Sequence, residues 1–351
     1  MRHADLNIRQ LLRGVSRSFA LSIGLLPSAL RGPVGLAYLL ARLTDTIADT
    51  TALPAARRLA LLEGLLHAIE APQDQPQLRL ALQDFARHVD DPHERALLAQ
   101  GQACLDALAR QPEADQAIIR QVLAAITEGQ RWDLNALDGP QRGVHSSAEV
   151  ERYTWLVAGS VGEFWTRICA LHLADWHRAS TADLMQWGAH YGQGLQRLNI
   201  LRDAGRDLRA GRCYWPAQEL APLGLDRAQL CEAVRSGDLA TLSRLGPLLE
   251  RWHRLTQEQL QQGLRYSLAL RGRRLRLASA LPCLIGIRTL ALLRQAGPQA
   301  LLTHIKLPRR EVHRLLLGLL LRGVSDAQLQ ACWAWALAGQ EASRESARIA
   351  P

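Results

Sequence analysis

Apolar residues recur at helical spacing along almost the whole chain, and no stretch alternates apolar and polar residues as a half-buried strand does. The interruptions are Pro and Gly, so the chain reads as many helices joined by short turns. Leu, Ala and Arg, all strong helix formers, dominate the composition. Aromatics reach only 5%, and nine of the 17 are Trp. At 351 residues, 48% apolar and 21% charged, the chain has apolar mass for a large core and is not disordered. The expected fold class is therefore all-α, one helical domain spanning 1–351.

Helices are expected near 33–50, with Pro33 as first residue, and over 55–71, 77–89, 93–110, 113–137, 147–173 and 181–210. Others follow at 225–236, 238–263, 264–296, 308–322 and 325–341. Six cysteines without a Cys-x-x-Cys pair read as reduced, mostly buried thiols. The polar start Met1–Arg9 and the short apolar run Leu315–Leu321 lead to the expectation of a cytoplasmic chain with neither leader nor membrane span. Peripheral membrane contact stays open.

The chain carries +9, and 41 of its 42 basic residues are arginine, with Lys306 the lone lysine. Guanidinium groups are permanently charged forks suited to phosphate oxygens. They are scattered in twos and threes without forming a tract, which argues against nucleic acid as partner.

Two segments carry chemistry. In PVGLAYLLARLTDTIADT (33–50), Tyr38, Arg42, Asp45 and Asp49 fall within about 60° of helical arc, a stripe about 16 Å long. Leu39, Leu40, Leu43 and Ile47 take the other side. A solvent-facing stripe is the plain alternative. Such faces usually carry Glu or Lys, however, while mid-helix Asp is disfavoured and neighbouring carboxylates repel unless a cation joins them.

In YGQGLQRLNILRDAGRDLRAGRCYWP (191–216), Gln196, Asn199, Asp203 and Asp207 share about 80° of arc, with Arg202 and Arg206 alongside. Gly192, Gly194 and Gly205 each cost about 1 kcal/mol against Ala in a helix, which signals close approach of another helix or of a bulky ligand. Two Asp-x-x-x-Asp elements with arginines nearby suit a diphosphate held through Mg²⁺, an ion usually bound by a few carboxylates, waters and phosphate oxygens. Facing helices of a bundle could bring them to one cavity.

Together with SRSFA (16–20) and YTWLVAGSVG (153–162), these stripes resemble the squalene/phytoene synthases, which join two prenyl diphosphates head to head. The resemblance covers about Ser16 to Leu293 and implies an isoprenoid-synthase bundle around a central cavity. Its catalytic core would span about 16–295, with a helical extension over about 296–345.

The resemblance also implies residue roles. Asp45, Asp49, Asn199, Asp203 and Asp207 would bind Mg²⁺. Ser16, Arg17, Ser18, Arg42 and Arg202 would hold diphosphate oxygens, and Phe19 and Tyr38 would border the prenyl chain. Tyr153 matches the tyrosine tied to the first half-reaction, and Tyr266 one lining the cavity.

HIKLPRRE (304–311), with Lys306, is similar to a basic loop that contacts NADPH phosphates in the reductive members. The resemblance thus implies farnesyl diphosphate as substrate and squalene as product. Synthases stopping at presqualene diphosphate, dehydrosqualene or phytoene are the alternative, and a silent assembly protein of the same fold is a third reading. Ala48 stands where squalene synthases commonly carry an acid, and Pro308 interrupts the basic loop. VAGSVG (157–162) reads either as a tight helix crossing or as room for a prenyl chain.

Overall fold

Helical spacing in the sequence becomes helix almost throughout the computed structural model, which describes residues 7–15, 23–71, 76–138, 143–322 and 325–338, the side chains of 138 and 320–322 excepted. Apart from one isolated bridge between His177 and Leu270, every regular element among the described residues is helical. The chain divides into two compact units, residues 1–139 with 163–176, and residues 140–162 with 177–351.

The first unit contains α1 (Ile8–Val15), α2 (Ser28–Asp49), α3 (Ala55–Glu70), α4 (Pro76–Ala86), α5 (Pro92–Ala99), α6 (Gly101–Ala109) and α7 (Glu113–Asp138). Helix α2 lays Leu36, Leu39, Leu40, Leu43 and Ile47, all 0% exposed, into the core, where α2 and α3 pack on α7. It starts five residues before the expected Pro33, which lies inside the helix. The residue before that proline is Gly32, which has no Cβ to clash with the ring. The single helix expected over 93–110 is two, parted at Gln100. Asp91 caps α5 by accepting from the backbone N–H of His93 (2.7 Å) and Glu94 (3.1 Å).

The second unit holds α8 (Ser147–Thr154), the first residues of α9 (Ser160–His172), α10 (Thr181–Arg209), α11 (Arg227–Ser236), α12 (Gly246–Ala269), α13 (Arg273–Ala296), α14 (Arg309–Arg322) and α15 (Asp326–Ala338). A π-helical turn, Trp155–Gly159, separates α8 from α9 within the expected 147–173 helix. The long α10 packs on α12, and α12 on α13.

The break expected at Gly263 falls instead at 270–272. Gly263 stays helical because the Tyr191 ring fills the space beside its Cα, only 2.4 Å from where a Cβ would sit. Gly272 takes the positive φ of 83° that the turn needs. Helix α13 with its following turn, Arg273–Leu301, is the one described helix long and apolar enough to cross a membrane, contrary to expectation. Two thirds of its most apolar window is buried, so that apolarity serves packing.

All six cysteines are unpaired, and burial pushes the Cys104 and Cys213 thiols up to about 12, so both pack as small apolar groups.

His253, 5% exposed on α12, is pushed down to about 4, chiefly by burial and secondarily by Arg294, against the opposing pull of Glu250. Its folded pKa lies below its unfolded value, so the stability tied to the neutral ring is complete above about pH 6.5. That stability is lost as pH falls toward 4. Between pH 7.5 and 4.5 the native chain should lose about 2 to 3 kcal/mol more stability than His253→Leu. Urea midpoints at fixed ionic strength test this, and equal losses would discount the burial of this ring.

Candidate active site

In the first unit, α2 carries the first acidic stripe. Arg42 forks between two acids: its Nη1 donates to Asp45 Oδ2 at 2.7 Å and its Nη2 to Glu94 Oε1. Its Nε is buried without a hydrogen-bond partner. Burial, and then the neighbouring Asp49 carboxylate, push the Asp45 carboxyl up to about 6, against the pull of Arg42. The Asp45 side chain still keeps 42% of its surface open. Tyr38 lies on the same helix within electrostatic reach of Arg42.

Buried Arg58 donates from Nη1 to the Ala48 carbonyl at 2.6 Å, satisfying one of the carbonyls left open at the end of α2 beside Asp49. Ala48 itself is 8% exposed, so its methyl faces packing, and an acid there would be buried.

Nothing in the sequence marks Glu94 as a site residue. The capping pattern Asp91-x-x-Glu94 was legible, but its partner Arg42 is 52 residues away, beyond any local rule.

In the second unit, α10 carries the second stripe. Arg202 grips Asp203 with two bonds, Nε to Oδ1 at 3.2 Å and Nη2 to Oδ2 at 2.8 Å. Arg206 adds a contact to Asp203 at 3.4 Å and one to Asp207 at 3.9 Å. Asn199 donates weakly to Gln196 at 3.4 Å. Asp203 and Asp207 are largely covered, their side chains 16% and 18% exposed.

Tyr153, the last residue but one of α8, is 7% exposed and stacks on Tyr214, which no sequence motif marks, with ring centroids 5.6 Å apart and planes at 22°. Tyr266 is almost fully buried on α12. The VAGSVG segment is a tight crossing: a Cβ on Gly162 would lie 1.9 Å from the Gly188 carbonyl oxygen. One on Gly192 would lie 2.1 Å from that of Ala158.

Lys306 is exposed in the extended segment before α14, and neither it nor Arg309 or Arg310 has an ion-pair partner among the described residues. Pro308 divides this segment: the chain is extended before it, its carbonyl accepts from Glu311 N–H at 2.9 Å, and α14 begins at the next residue. Ser16, Arg17, Ser18 and Phe19 lie outside the described residues.

His172, spaced off the metal stripes, pairs with buried Asp115 at 2.6 Å. Trp333 packs at the C-terminal end of the described chain, and Trp335 lies under the guanidinium groups of Arg288 and Arg314.

Among the described residues, no three His, Cys, Asp or Glu side chains gather closely enough to cage an ion. Each stripe instead offers two carboxylates one helical turn apart, beside arginine. That donor set fits Mg²⁺ arriving with a diphosphate, whose oxygens and waters would complete the octahedron. The raised Asp45 carboxyl fits the same reading, because a cation relieves repulsion between neighbouring acids.

A family model described as squalene/phytoene synthase matches residues 12–311. The chain is 29% identical over 209 residues to the squalene synthase of Saccharomyces cerevisiae, covering 60% of this chain and 45% of that one. It is 28% identical over 262 residues to the 15-cis-phytoene synthase of Synechococcus elongatus, covering 74% of this chain and 71% of that one. The match thus spans less than half of the yeast protein's length. A solved complex of TcSQS with the ligand E5700 superposes with a TM-score of 0.65 at 22% identity, over 95% of this chain and 97% of that one. That likeness establishes the fold.

Proposed function

Because this chain belongs to the squalene/phytoene synthase family, we propose that it condenses two farnesyl diphosphates head to head into presqualene diphosphate and reduces that intermediate to squalene with NADPH. The observation that carries the reading is the pair of Asp-x-x-x-Asp stripes, each with an arginine already bonded to its first aspartate.

Arg42 and Arg202 then act as exchangeable partners. Each is held beside an aspartate without substrate and can swing its fork to a diphosphate oxygen when one arrives. Asp45, Asp49, Asn199, Asp203 and Asp207 would hold Mg²⁺, which when bound supplies positive charge to the departing diphosphate. The allylic C–O bond breaks with its electron pair going to that diphosphate, leaving the first prenyl group as an allylic cation, and the π face of Tyr153 is suited to stabilise such charge away from water. Lys306 with Arg309 and Arg310, exposed and unpaired, fits the phosphates of NADPH, which would deliver the hydride.

A second reading stops before reduction, at presqualene diphosphate, dehydrosqualene or phytoene. The longer match to a phytoene synthase favours it.

Incubation of the chain with farnesyl diphosphate and Mg²⁺, with and without NADPH, followed by mass spectrometry of the extract, separates these. Squalene formed only with NADPH supports the first reading, and a product indifferent to NADPH supports the second. Unchanged farnesyl diphosphate in both arms, together with unchanged geranylgeranyl diphosphate (the twenty-carbon substrate that phytoene requires) in a parallel incubation, would overturn both and leave an assembly role for the fold.

A further inference from the structure

The turn that ends α10 builds a brace. Gly211, at a φ of 82°, reverses the chain, and the Arg212 backbone N–H donates to the Asp207 carbonyl at 2.8 Å. The Arg212 side chain runs on to Tyr214, where Nη2 donates to the phenol oxygen at 2.9 Å. On either side of Tyr214, Cys213 and Trp215 are buried at 2% and 3% exposure, and the Ala217 N–H donates to the Val144 carbonyl at 2.8 Å. Tyr214 is therefore fixed from both sides, and its ring lies nearly parallel to that of Tyr153 at 5.6 Å, an offset stack.

Tyr153 stands near the end of α8, two residues before the π-helical turn Trp155–Gly159. A π turn inserts a residue into the helical repeat, so the orientation of Tyr153 is not dictated by the tight Gly159–Gly162 crossing beyond it. The stack against Tyr214 adds a constraint on the ring from outside the helix.

We propose that Tyr214, tethered by Arg212, is a positioning residue that sets the ring of Tyr153, so that the chain's second acidic stripe and its aromatic wall are held by one turn. The role rests on the prenyl-synthase reading above; the geometry behind it does not. A π face stabilises a cation only when its ring is held over the charge, so loss of the stack should act on turnover more than on substrate binding.

The test pairs kinetics with a chemical probe. Tyr214→Leu should lower kcat about tenfold while leaving KM for farnesyl diphosphate within about twofold, and Tyr214→Phe, which restores the ring without the tether, should recover kcat to within about threefold. Tetranitromethane should nitrate Tyr153 faster in Tyr214→Leu than in the unaltered chain, read from the tryptic peptide 153–167, whose one tyrosine is Tyr153. Tyr214→Met, which keeps bulk without a ring, replaces the Leu variant should that one fail to fold.

Unchanged kcat, a rise in KM alone, or a Phe variant as slow as the Leu variant would overturn the proposal. If the unaltered chain consumes no prenyl diphosphate, the functional reading fails. Nitration then decides the positioning claim alone, and equal Tyr153 labelling in both chains would end it.

Discussion

Asp203→Asn is expected to cut the turnover of farnesyl diphosphate about a thousandfold while the chain melts within a few degrees of its parent. Asp203 is gripped by Arg202 through two bonds and touched by Arg206. Asparagine keeps the shape and loses the charge that would bind a cation and hold those guanidinium groups in readiness. Stability should hardly change, because Arg206 is 74% exposed and Arg202 37%, so neither becomes a buried unpaired charge. Steady-state kinetics together with a thermal melt separate the two effects. A variant with the parent's rate would remove Asp203 from the machinery, and one that melts far earlier would make its role structural.

Gly192→Ala should destabilise the chain by about 3 kcal/mol or more, seen as a fall of several degrees in Tm. The added Cβ would lie 2.1 Å from the Ala158 carbonyl oxygen, and the obstacle is backbone, which cannot rotate aside as a side chain can. Gly162→Ala meets the same crossing from the other helix, 1.9 Å from the Gly188 carbonyl oxygen. Gly64→Ala is the control: the nearest atom to its Cβ is in the Leu78 side chain at 3.8 Å, an ordinary contact, and it lies inside α3 without a positive φ. It should be neutral or slightly stabilising through the lower entropy of the unfolded chain. Equal melting of the Gly192 and Gly64 variants would show that the crossing yields more easily than its geometry implies.

The all-α class, the two acidic stripes and the reason for the mid-helix glycines of α10 were legible in the sequence. Each is a matter of periodicity or of cost within one helix. Asp45 and Asp49, and likewise Asp203 and Asp207, lie four residues apart, and 100° per residue is enough to put each pair on one face. Helix ends were less legible. Gly263 and Gly272 look alike as letters, yet one accommodates the Tyr191 ring within a helix and the other supplies a left-handed turn.

What the residues determined alone is which side chains share a helical face, because that follows from the repeat of the backbone. Only the folded chain decided which faces meet: Glu94 with Arg42, Tyr214 with Tyr153, the glycines of α10 with the segment after α8. These partners stand far apart in sequence and are chosen by packing and by the pairing of charge and ring across helices. The helical period carries no information about that choice.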